Sequence, residues 1–110
     1  MGDRRNVIVK DGESDIGVGL YTHWSGSDLE DIVKSALQRK QRWEDAPYLA
    51  RIIFCEMVKG NEREETGFGI AAGNNLCEGS ARDITIDVAA QTIRTRQDAK
   101  PVSLSAFIAA

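Results

Sequence analysis

The chain is 110 residues long, 42% hydrophobic and 28% charged, a balance that suits one folded domain with a single core and excludes a disordered chain. Its formal net charge of −3 is spread evenly: residues 1–26 carry three positive and four negative charges, 27–60 six of each, and 61–110 five and seven. No basic patch results, so no direct nucleic-acid contact is expected.

The first strand is expected over Asn6 to Lys10, where Val7-Ile8-Val9 is β-branched and Asp11-Gly12 marks a turn. From Ile16 the chain alternates, with Ile16, Val18, Leu20, Thr22 and Trp24 on one face and Gly17, Gly19, Tyr21 and His23 on the other. These two strands read as a hairpin. Ser25-Gly26 then breaks the pattern, and Ser27 with Glu30 forms a capping-box sequence at a helix start.

Leu29, Ile32, Val33, Ala36 and Leu37 make one apolar stripe of this first helix. Its acidic start (Asp28, Glu30, Asp31) and basic end (Arg39, Lys40, Arg42) match the helix dipole. Asp45 before Ala46-Pro47 opens a second helix, expected to reach Lys59 and stop at Gly60-Asn61. Its apolar residues cover most of its circumference, so it should be the more buried of the two.

Gly67 to Ala72 is expected as a third strand, with Phe68, Ile70 and Ala72 on one face and Gly67, Gly69 and Ala71 on the other. Ile84 to Val88 and Gln91 to Arg96 follow as strands four and five. A four-residue loop from Val88 to Gln91, built on a type I turn, pairs Ile86 with Ile93. Ser103 or Ser105 is positioned to cap a short terminal helix carrying Phe107 and Ile108. The expected class is therefore α+β, an antiparallel sheet of about five strands with two helices on one face, in the order β-β-α-α-β-β-β.

No motif dictates a particular chemistry. His23 is the single histidine, and Ser25, Ser27 and Asp28 lie too near it in sequence for the usual convergence of a Ser/His/Asp set. One His and two distant cysteines offer no zinc pattern. Neither Gly67-x-Gly69 nor any other segment completes a phosphate-loop fingerprint. No catalytic residue, metal site or cofactor is expected. Cys55 lies in an apolar helical run and Cys77 in a Gly/Asn loop, so a disulfide is not expected and reduced cytosol is the default setting. The chain shows neither a secretory apolar region nor a run of about 18 apolar residues that would span a membrane.

Two candidate binding surfaces stand out. Gly17 and Gly19 beside Gly67, Gly69 and Ala71 would make a bare strip rimmed by Tyr21 and His23, with Trp24 at its end. It suits close packing of a helix, a shallow bed for a ligand or partner, or strand bulges. Trp43, Tyr48 and Arg51, at the junction of the two helices, are of the residue types enriched in interface hot spots, although Trp43 also continues the apolar stripe of the first helix.

Gly2-Asp3-Arg4-Arg5-Asn6-Val7-Ile8, Tyr21-Thr22-His23-Trp24-Ser25-Gly26, Arg42-Trp43, Asp45 to Ile52 and Glu65 to Ile70 together resemble a group of small proteins carried by phages and prophages. The resemblance spans about two thirds of the chain. It implies a setting in the cytoplasm of the host cell, and in that setting a protein that binds and inhibits a host protein is expected, foremost a defence effector such as a CRISPR component. A binder or sponge for a nucleotide signal and a phage structural or accessory protein are the alternatives. A homodimer through Gln91 to Arg96 is open, although Arg94 and Arg96 oppose edge pairing.

Overall fold

The computed structural model describes residues 3–12, 17–71 and 81–110. In chain order the elements are β1 (Arg5–Lys10), β2 (Val18–Thr22), a 3-10 turn (Gly26–Asp28), α1 (Leu29–Leu37), α2 (Ala46–Val58), β3 (Phe68–Ala71), β4 (Ile84–Asp87), β5 (Thr92–Arg94), β6 (Val102–Ser103) and α3 (Leu104–Ala109). The class is α+β, as expected, but the sheet has six strands in the order β3-β2-β1-β4-β5-β6. It is mixed: β1 and β4 run parallel, with Val7 beside Ile84 and Val9 beside Ile86.

This corrects the all-antiparallel expectation, and the cause is topological. β1 and β2 form the expected hairpin, and β3 returns to the outer side of β2. The free side of β1, with Val7 and Val9 buried, is then covered by β4. The β4–β5 hairpin has the expected register, Ile86 opposite Ile93, with a Val88–Gln91 loop. The sixth strand, Val102–Ser103, is two residues long, too short to leave a periodic signal.

One sheet face holds the core. Val7, Val9, Leu20, Ile84, Ile86 and Ile93 are buried against Leu29, Val33, Ala36 and Leu37 of α1, Leu49, Ile52, Ile53 and Met57 of α2, and Leu104 of α3. At about 25 cal/mol per Å2 of apolar surface, each such Leu or Ile contributes roughly 2 kcal/mol. The stripe of α1 is the one expected, with Ile32 half-buried at its margin. α2 buries one face, through Leu49, Ile52, Ile53 and Met57, and leaves Phe54, Cys55 and Val58 half-buried, so its apolar surface is less fully enclosed than expected.

The helix starts differ. Asp45 caps α2 as expected, its carboxylate accepting from the Tyr48 amide at 3.3 Å with Pro47 in the first turn. The Ser27/Glu30 capping box does not form. Ser27 lies in the 3-10 turn, and both its amide (2.7 Å) and its hydroxyl donate to Asp3, while Glu30 faces Arg5 at 3.8 Å. The Asp3 carboxylate is a strong, charge-assisted acceptor that engages the Ser27 hydroxyl as a donor, and Asp28, at the N-cap of α1, makes no side-chain cap hydrogen bond. α3 is capped by Ser103, which accepts from the Ala106 amide at 3.0 Å.

Expectations for Ile16, Ala72 and Cys77 lie outside the described residues. Among the described residues, no helix is long and apolar enough to cross a membrane.

Candidate functional site

The first surface is held at the chain start. Asp3 donates its amide to the His23 carbonyl at 2.6 Å and accepts the Gly26 amide at 2.8 Å. Its carboxylate also accepts from Arg82 at 3.1 Å. The Ser27 hydroxyl and then its amide hold the Asp3 carboxyl below its ordinary pKa, desolvation opposes them, and Arg82 adds a lesser lowering effect. Thr22 Oγ1 accepts the Trp24 and Ser25 amides, which turns the chain out of β2.

Tyr21 and His23 meet edge to face, with centroids 5.2 Å apart. β2 and β3 are neighbours, placing Gly19 beside Ala71 and Tyr21 beside Gly69. The strip is not a bare bed, however. A Cβ built at Gly69 would overlap the Tyr21 ring and hydroxyl, and one at Gly67 would lie 2.7 Å from Trp24 Cε3. The two aromatic rings therefore occupy the space left by the two glycines. Nor does a helix explain this face, because the helices pack on the Val7/Leu20 side. Trp24 stays 58% exposed. Among the described residues, no hydrogen bond joins the side chains of His23, Ser25, Ser27 and Asp28 to one another.

The second surface comes together in part. Trp43 is half-buried against the core and donates Nε1–H to the Leu37 carbonyl at 3.2 Å, a packing role. Tyr48 and Arg51 project outward from the exposed side of α2. Arg51 donates to the Tyr48 hydroxyl at 2.7 Å, and its guanidinium lies 4.6 Å from the ring centroid. The Tyr48 hydrogen bond raises the pKa of Arg51 above its ordinary value. A second guanidinium, from Arg42, lies 4.7 Å from the same centroid.

Sequence reasoning missed Arg42 as a surface residue because it counted Arg39, Lys40 and Arg42 as the basic end of α1. The helix stops at Leu37, and Lys40 and Arg42 lie beyond it with positive φ. Among the described residues, Arg39 alone of the three has a carboxylate partner, Glu56 at 2.6 Å. The loop is held from the opposite side by Gln91, whose Nε2 donates to the Trp43 carbonyl at 2.7 Å and to the Val88 carbonyl at 2.9 Å. No local signal in the sequence indicated that contact.

No family model, no curated protein and no solved structure matches this chain.

Proposed function

We propose that the protein acts as a stoichiometric binding protein that inhibits a host factor, docking through the surface where α1 meets α2. The observation that carries the proposal is the exposed Tyr48 ring with the Arg42 and Arg51 guanidiniums at 4.7 Å and 4.6 Å from its centroid. Tyr and Arg dominate interface hot spots because each offers a large contact area together with directed polar atoms. A pre-formed cation–aromatic cluster also loses less side-chain freedom on docking than separate flexible cations would. The two fixed positive charges select an acidic patch on the partner.

The likeness of the Tyr21 to Gly26 and Glu65 to Ile70 segments to phage and prophage proteins makes a defence component, such as a CRISPR effector, the leading class of target. The test is affinity purification from a CRISPR-defended host, with the wild type compared against Tyr48→Ala/Arg51→Ala. The proposal expects an effector subunit to be recovered at near-equimolar amount by the wild type and lost by a folded double variant. Recovery of no defence component, or equal recovery by both, contradicts it.

A further inference from the structure

A cleft of about 720 Å3 opens between the α1–α2 loop, the β4–β5 turn and α3. Its lining includes Lys40, Arg42, Trp43, Gln91, Ser105 and Ile108. Three of these are the non-glycine residues with positive φ among the described residues: Lys40 at 54°, Arg42 at 60° and Gln91 at 55°. Left-handed backbone disfavours residues with a Cβ, and Gly or Asn is the usual occupant, so three cases around one cleft need a reason.

Gln91 has one in the fold, because its amide clamps the Trp43 and Val88 carbonyls. Lys40 has none. Among the described residues, neither its Nζ nor the Arg42 guanidinium makes a hydrogen bond or ion pair, and Arg42 lies over the Tyr48 ring. Two cations thus occupy positions where the fold favours glycine, and among the described residues neither forms an ion pair. Glu44 also lines the cleft, leaving two cations against one carboxylate. The volume falls in the range of small-molecule sites, with Trp43 and Ile108 as apolar wall and the Ser105 hydroxyl as a further donor.

We propose that this cleft binds a small phosphorylated molecule with an aromatic body. Lys40 and Arg42 hold the phosphate dianion, the ring lies along Trp43 and Ile108, and Gln91 is a positioning residue that fixes the loop. The site shares Arg42 with the docking surface, so the test turns on Lys40 and is independent of any protein partner.

Calorimetric titration of the full chain with AMP, GMP, CMP, UMP and phenyl phosphate, with inorganic phosphate and adenosine as partial ligands, is the experiment. At least one of the five phosphate esters is expected to bind with Kd at or below about 1 mM and more tightly than either partial ligand. Lys40→Gly is expected to raise Tm by about 3 °C, because the left-handed strain is relieved, and to weaken that ligand at least about tenfold. Lys40→Arg should retain binding. Absence of binding by all five esters, an unchanged affinity in Lys40→Gly, or a lowered Tm in that variant overturns the proposal.

Discussion

Gln91 Nε2 donates to the Trp43 carbonyl at 2.7 Å, joining residues 48 positions apart. A turn in the sheet thereby fixes the loop between the helices, the loop that carries Arg42 toward Tyr48. Gln91→Asn keeps a residue that tolerates left-handed backbone but shortens the reach. It should cost about 1 kcal/mol, the usual net value of a hydrogen bond, and urea denaturation at constant m-value reads it.

Arg5 is a buried, fully engaged charge. It is 6% exposed and donates to the carbonyls of Arg82 (2.6 Å), Gly26 (3.2 Å) and Thr95 (2.8 Å). Burial lowers its pKa, with Glu30 partly offsetting this. Arg5→Ala leaves three carbonyls short of a donor and should cost about 3 kcal/mol. Arg5→Lys, with one compact ammonium in place of a fork, should recover less than half of that loss. Chemical denaturation of both variants decides the point.

Much of this was legible in the sequence and some was not. The stripe from Leu29 to Leu37, the Asp45 cap and the Ile86/Ile93 register follow from periodicity and turn chemistry, which are local. The parallel β1–β4 pairing, the Asp3 contact that engages Ser27 and the Gln91 clamp each join residues far apart in sequence. No local pattern encodes such contacts. The helix end at Leu37 was missed because Lys40 and Arg42 occupy left-handed positions where glycine is the usual signal.

The Asp3 clamp gives a pH dependence. Its carboxyl is lowered in the folded state, chiefly by the Ser27 hydroxyl and amide. Its contribution is therefore complete above the unfolded value, near pH 4, and is lost as pH falls through the lowered folded value. Asp3→Asn should remove that part of the acid dependence, so the wild-type and variant stabilities should differ above about pH 5 and converge toward about pH 2. Thermal melts across this range test the sign.

Tyr21 and Gly69 should be coupled. Gly69→Ala forces the Tyr21 ring off its seat and is expected to cost about 1–2 kcal/mol. In a Tyr21→Ala background the same change should cost under about 0.5 kcal/mol, and a double-mutant cycle measures the difference.

The central claim, that this chain binds and silences a defence component through the Tyr48/Arg42/Arg51 surface, is tested most directly by phage plating. The measurement is plating efficiency on a CRISPR-defended host expressing the protein. The account predicts that the wild type restores plating to the level of an undefended host and that a folded Tyr48→Ala/Arg51→Ala variant does not. Plating that stays low with the wild type, or is fully restored by the double variant, would contradict it.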